Sequence, residues 1–262
     1  MKNIYLPILI YHSLADNEAK DKYVISIKSF EQQMQYLYQN GFKTITPEDI
    51  SKLEKTNNSK WIMITFDDGY ETDYTLALPI LKKYGFRGVS FVTTGFLGKD
   101  GYMKWEQVQM LKEEGFSIQS HTHTHPLLKV TDERNIKQEL SISKASIEER
   151  LKTKVISLSL PGGSYSEKVK NIALQQGYYY IFNSKPYINI INNGTIDILY
   201  RAVITRSVTL EKFKNIANLD KITYQQAKLR FFVKGIIKSC IGIKGYYRLW
   251  YKYSKQEGKK WH

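Results

Sequence analysis

Short apolar runs that alternate with longer segments of helical period constrain this chain more than any other feature. Leu6–Tyr11, Phe42–Thr46, Trp61–Phe66, Gly88–Val92, Phe116–Ser120, Val155–Leu160 and Tyr178–Phe182 read as strands, most of them followed by a polar or glycine-containing turn. Between them, Phe30, Met34, Leu37 and Tyr38 have helical spacing and stop at Gly41, and Thr46-Pro47-Glu48-Asp49 has the form of a helix start. Further helices are predicted over Thr72–Tyr84, Glu106–Glu114, Glu133–Leu151 and Ser166–Gln176, with a kink or late start at Pro79. This alternation predicts repeated βα units, not a sandwich. With 262 residues and 42% apolar content the chain can bury one barrel-sized core plus an appendage.

The formal charge of +14 is uneven: residues 211–262 hold 13 Lys and Arg against 3 Asp and Glu. We therefore divide the chain at 210, into a nearly balanced body, 1–210, and a basic tail, 211–262. Cys240 is the lone cysteine, which excludes an internal disulfide framework. No run of about 18 apolar residues is present to span a bilayer, and Leu6–Ile10, interrupted by Pro7, is unlike a signal peptide. The expected location is cytoplasmic, with peripheral attachment at the inner membrane face as an option.

Two motifs carry chemistry. Thr65-Phe66-Asp67-Asp68-Gly69 ends a predicted strand, where α/β folds build their sites. Adjacent carboxylates repel and resist desolvation, so a bound cation would relieve them; a plain Asp-Asp-Gly turn is the other reading. His121-Thr122-His123-Thr124-His125-Pro126 ends another strand and holds three of the five histidines. One carboxylate and two imidazoles would leave a divalent ion open positions for water and substrate. The alternative is a solvated histidine-rich loop.

These motifs resemble those of the polysaccharide deacetylase family, also called carbohydrate esterase family four or the NodB homology domain, over about residues 4–210. The family's Thr-Phe-Asp-Asp-Gly is matched by Thr65 to Gly69, and its His-Ser/Thr-x-x-His by His121, Thr122 and His125. Ile8 to Ser13 and Ala77 to Leu81 look like the exopolysaccharide- and capsule-associated subgroup. The resemblance implies a distorted (β/α)7-type barrel with Asp68, His121 and His125 on one divalent metal ion. Zinc is the first expectation, with cobalt, nickel or manganese as options. It also implies Asp67 as the base that activates metal-bound water, and it leaves His123 at a variable position.

The family's third motif, Arg-x-Pro-Tyr-Gly, is met only by Ser159-Leu160-Pro161-Gly162-Gly163, which keeps Pro161 and Gly163 and lacks the Arg. Pro161, Gly162 and Gly163 are therefore candidates for a turn that approaches substrate or oxyanion, or a simple tight turn. Arg201 is the candidate replacement for the missing partner of Asp67, or else a surface charge. The late Asp-Trp and Leu-x-His motifs are not found. A circularly permuted barrel, as in relatives that deacetylate poly-N-acetylglucosamine, would let His12 supply the general acid; a satisfied core histidine is the alternative.

From Ala227 to Ile241, Arg230, Lys234 and Lys238 oppose Leu229, Phe232, Val233, Ile236, Ile237 and Cys240, an amphipathic helix; aromatic and basic residues interleave after it. Residues 225–262 thus fit an anionic membrane surface, or a helix packed on the barrel, and no nucleic acid is expected. The leading expectation is removal of N-acetyl groups from a GlcNAc-type glycan or its lipid-linked precursor. An inactive carbohydrate-binding scaffold and a deacylase of non-sugar amides are the alternatives.

Overall fold

The computed structural model describes residues 3–16, 21–53, 59–163, 165–191, 198–233 and 235–236. Asn192-Asn193-Gly194, whose sequence predicts a turn, most of Lys55–Lys60, whose sequence predicts a surface loop, and the aromatic-basic stretch beyond 236 lie outside them.

One nine-stranded sheet organises the molecule. Its strands run in the order Ile198–Tyr200, Tyr180–Asn183, Ser157–Ser159, Ser117–Ser120, Val89–Val92, Lys60–Asp68, Ile8–Tyr11 and Ala202–Val203, with Phe42–Thr44 pairing beside Lys60–Asp68. The neighbours are parallel. The first and last strands of this order are consecutive in the chain, separated by Arg201 alone. One segment therefore pairs with both edges and brings the sheet to a nearly closed parallel barrel. The strand before His12 ends up beside the closing strand, Ala202 opposite Leu9 and Val203 opposite Ile10.

Strand period dictates what faces inward. In Lys60–Asp68, Ile62, Ile64 and Phe66 pack outward against the helices, while Trp61 and Met63 join the inner cluster with Leu6, Ile8, Phe91, Phe182 and Leu199. Thr65 and Asp67 continue the inward row, so the carboxylate stands at the barrel mouth above an apolar floor. Both faces of these strands are covered, which is why they read as near-continuous apolar runs.

Helix boundaries follow their caps. Glu133–Leu151 starts at Asp132, whose side chain accepts from Asn135 N, and Glu167–Gln175 starts at Ser166, which accepts from Val169 N. Ile27–Gln39 begins at Ser26, and its exit passes through Gly41 at φ 71°. The predicted Thr72–Tyr84 helix becomes a wide turn, Asp73–Ala77, running into a helix over Leu78–Lys83. Pro79 cannot supply an N–H to the first segment, and the widened turn accommodates that loss. The predicted Leu6–Tyr11 strand splits at Pro7. Ile4–Leu6 pairs antiparallel with Asn189–Ile191, and Ile8–Tyr11 enters the barrel.

The helix Leu210–Ala217 lies on Ile27–Gln39, with Phe213 fully buried against Tyr36 and Asn218 Nδ2 donating to Tyr36 OH. Residues 221–233 form a further helix. Among the described residues no helix is long and apolar enough to cross a membrane.

Candidate metal and catalytic centre

Three side chains from two strand ends converge at the barrel mouth. Asp68 Oδ1 lies 3.4 Å from His121 Nε2 and 3.4 Å from His125 Nε2, and the three potential ligand atoms lie within 4.8 Å of one another. Ligands about 2.0–2.1 Å from a tetrahedral ion stand about 3.3 Å apart, so the set fits a divalent cation. His121 Nδ1 is 2.9 Å from Ser159 O; donating there fixes the tautomer and leaves Nε2 for an ion.

The backbone is bent to bring these groups together. Asp68 has φ 80°, Thr122 67° and His125 63°, conformations that non-glycine residues rarely adopt, and a β-branched threonine least of all. Side-chain anchors hold the histidine loop in that shape. Glu139, on the helix Glu133–Leu151, accepts from His123 N, Thr124 N and Thr124 Oγ1 at 2.8, 2.7 and 2.6 Å. On the other side Gly95 N donates to His123 O at 2.8 Å, and a Cβ at Gly95 would stand 2.6 Å from that oxygen. His123 turns its Nδ1 to Thr94 Oγ1 at 2.9 Å and stays out of the ligand set.

Asp67 points into the barrel beside this cluster, and Arg201 meets it there. Arg201 Nη1 and Nη2 donate to Asp67 Oδ1 and Oδ2 at 2.8 and 2.9 Å, a fork-to-carboxylate pair. The same guanidinium donates to Thr65 Oγ1 (3.0 Å) and Ser159 Oγ (2.6 Å), and Ser159 Oγ donates to Asp67 Oδ2 (3.1 Å). Phe91 and Phe182 flank it with ring centroids 5.2 and 5.6 Å from its central carbon. Arg201 is 0% exposed. The surface-charge reading of this residue is thereby overturned: the barrel seam delivers it to Asp67.

Charge balance follows from this packing. Burial pushes the Asp67 carboxyl up, but the Arg201 and His121 charges outweigh it and hold the group below its ordinary range. Asp68 is likewise held low, burial being overcome by the hydrogen bond and charge of His121. Burial, then the His121 charge, lowers His125 to about 4, so its imidazole is neutral at pH 7 and free to ligate an ion. At His121 burial acts downward, yet Asp67 and Asp68 pull the group up, so this pocket of carboxylates attracts positive charge.

His12 is half-buried, and its Nδ1 is shielded with no hydrogen-bond partner, its ring 4.7 Å from Tyr23. Burial lowers its pKa against the opposing pull of Asp68 and Asp67. Pro161–Gly163 forms a short turn after Ser157–Ser159, with φ 60° at Gly162 and 64° at Gly163. The Gly163 N–H is spent on Leu160 O at 2.8 Å, and a Cβ at Gly163 would sit 3.2 Å from Ser184 Oγ.

Sequence reasoning did not single out several contributors. Ser159, in the place where the resembling motif has Arg, joins His121, Asp67 and Arg201. An aromatic wall also stands beside the ligands: Tyr70 and Tyr102 stack at 5.0 Å and 16°, and Phe96 touches Tyr102 (5.1 Å) and His125 (6.2 Å). Tyr70 directly follows Gly69, which was the one local signal.

The comparisons with known proteins agree with this geometry. The family model described as polysaccharide deacetylase matches residues 54–181. A Bacillus subtilis (strain 168) protein named "Putative polysaccharide deacetylase YxkH" is 32% identical over 184 residues, 69% of this chain and 65% of the relative. The chain belongs to the polysaccharide deacetylase family. The match thus spans just under two thirds of that relative's length. The poly-beta-1,6-N-acetyl-D-glucosamine N-deacetylase of Staphylococcus aureus (strain MSSA476) is 27% identical over 195 residues, 68% of this chain and 67% of its own. Among solved structures, the Streptococcus pyogenes deacetylase PplD in complex with acetate superposes with a TM-score of 0.76 at 25% identity, covering 82% of this chain and 99% of that one. As a member of this family with a near-closed parallel barrel, the chain has the fold its sequence predicted.

One buried acid lies outside this centre. Asp73 is 0% exposed, Oδ2 pairs with Ser90 Oγ at 2.8 Å, and Oδ1 has no partner. Burial first, then the Asp68 and Asp67 charges, raise its pKa well above the carboxylate range. An acid whose folded pKa is raised stabilises fully below its unfolded pKa, about 3.9, and loses that contribution as pH climbs toward the folded value. Asp73→Asn should therefore raise the melting temperature more at pH 7.5 than at pH 5. Equal melting shifts at the two pH values would contradict the buried neutral acid.

Proposed function

We propose that this polysaccharide deacetylase hydrolyses the N-acetyl amide of a GlcNAc-type sugar in a glycan, with Asp67 as base and Asp68, His121 and His125 as metal ligands. The observation that carries the reading is the juxtaposition of an open three-ligand set with a carboxylate clamped by a buried Arg. A divalent ion held there would acidify a bound water and polarise the acetyl carbonyl.

The chain's own residues divide the remaining work. Asp67, held ionised by Arg201, takes a proton from the attacking water, and the fork fixes its direction. Ser159 orients both His121 and Asp67. His12 is the proton donor to the leaving nitrogen; burial makes its protonated form a stronger acid, and it lies within the field of Asp67 and Asp68. A backbone donor from the Pro161–Gly163 turn to the oxyanion falls to Gly162, because Pro161 has no N–H and Gly163 has spent its own.

The sugar part rests on the aromatic wall and the relatives. Half-buried rings of Tyr70, Phe96 and Tyr102 offer apolar faces to a pyranose at the edge of the ligand set. The S. aureus relative's name supports a poly-β-1,6-linked N-acetylglucosamine substrate class. The test is acetate release from N-acetylglucosamine oligomers by protein reloaded in turn with zinc, cobalt, nickel and manganese after chelation. His121→Ala should lose both bound metal and acetate release. A variant that binds no metal yet turns over at the parental rate would remove the metal from the mechanism.

A further inference from the structure

The helix after Leu210–Ala217 carries apolar residues on two opposite sides. Toward the barrel, Tyr224, Ala227 and Phe231 line an open cavity of about 570 Å³ together with Val203 and Ile216, and Tyr224 is 5% exposed. This side explains why the helix packs where it does. It does not explain the other side. Ile222, Leu229 and Val233 recur at seven and four residues, the spacing of a single helical stripe, and Phe232 widens it. They are 64, 63, 46 and 65% exposed for Ile222, Leu229, Val233 and Phe232. Four large apolar side chains thus form an outward patch that barrel packing does not use.

Charge decides what covers that patch. Residues 221–236 contain Lys221, Lys228, Arg230 and Lys234 and no Asp or Glu. On the helix Lys221 and Lys228 fall along one edge of the apolar stripe and Arg230 along the other, while Lys228 also reaches the Tyr187 ring at 4.9 Å. A second copy of this chain would bring equal positive charge against the same face, and like charges there oppose self-association. The sequence from 237 to 262 carries seven Lys and Arg against one Glu, with six Tyr and Trp, so it too has the same sign. An apolar stripe bordered by cations, continued by a basic and aromatic sequence, has the composition of a helix lying in a lipid–water interface.

We propose that helix 221–233 docks on an anionic bilayer, with Ile222, Leu229, Phe232 and Val233 entering the acyl–headgroup boundary and the flanking cations meeting lipid phosphates. The cavity behind the helix is also lined by Ser184 and Thr205, which follow the strands Tyr180–Asn183 and Ala202–Val203. These lie at the same end of the barrel as Asp67 and His121. The docked face therefore flanks the catalytic mouth, and a glycan held at the same surface would be presented to it. The lipid interaction does not depend on the deacetylase reading.

The experiment is co-sedimentation of the full chain with phosphatidylcholine vesicles made with and without phosphatidylglycerol, at low and at about 0.5 M salt. Binding should require the anionic lipid and weaken with salt. Joint substitution Leu229→Ser, Phe232→Ser and Val233→Ser, all exposed positions, should reduce partitioning at least about tenfold and leave acetate release from a soluble oligomer unchanged. Three results would overturn the proposal: no sedimentation with anionic vesicles, sedimentation indifferent to the triple substitution, or a dimer that the triple substitution converts to monomer without any lipid binding. A parent chain that sediments with anionic vesicles yet releases no acetate would count against the catalytic reading alone.

Discussion

Asp67→Asn should cut acetate release by about 10²–10⁴-fold, the span attributed to a positioned general base, while metal stoichiometry stays at the parental level. The two readouts separate because Asp67 and the ligand set do different work. Asp68, His121 and His125 hold the mutual distances an ion requires without Asp67, whose nearest approach to His121 Nε2 is 3.9 Å. Asn is close in shape but cannot accept a proton at neutral pH, so the loss isolates basicity from geometry. Arg201 then faces an amide and loses a charge partner. Turnover must therefore be compared at a temperature where circular dichroism shows the variant folded. Metal content would be measured on the same sample by elemental analysis. Turnover within tenfold of the parent would take the base role away from Asp67, and loss of metal together with turnover would make it part of the ligand set.

The sequence carried the local parts of this site and not the long-range ones. Asp67 and Asp68 were legible because a buried strand runs straight into them, and the helix Glu133–Leu151 was legible to the residue because Asp132 caps its start. His121 and His125 were legible as a pair, with no hint that Glu139 and Gly95 force the loop between them into left-handed geometry. Arg201 could be nominated only as a candidate, since its meeting with Asp67 depends on the barrel seam. Ile198–Tyr200 and Ala202–Val203 are three and two residues long, too short for any periodic signal. Ser159 was hidden for a related reason. It stands where the resembling motif has Arg, and its value appears only once an arginine from elsewhere donates to it. Ser13–Ala15 and Val24–Ser26 pair with each other, again without periodic length. The Tyr70–Tyr102 stack joins two different strand-to-helix connections, which no window along the chain can contain.

Arg201→Met should destabilise the fold by about 3–5 kcal/mol, the cost of leaving a buried charge without its partner. The guanidinium makes four hydrogen bonds to Asp67, Thr65 and Ser159, and both partners of the ion pair are almost fully shielded, at 0% and 6% side-chain exposure. In the parent, Arg201 outweighs burial and keeps the Asp67 pKa low. A lowered acid contributes stability above its unfolded pKa, about 3.9, and loses it as pH falls through the folded value. Without Arg201, burial dominates and the sign reverses, so Asp67 must protonate in the folded state and the variant loses stability as pH rises. The penalty measured by urea unfolding should therefore be larger at pH 7 than at pH 4.5. Adding Asp67→Asn to Arg201→Met removes the stranded carboxylate and should recover part of the loss, because a buried ion pair replaced on both sides is often close to neutral. A strictly additive double variant, or a penalty that does not grow with pH, would mean that Arg201 supports the barrel seam by packing between Phe91 and Phe182 and not by neutralising Asp67.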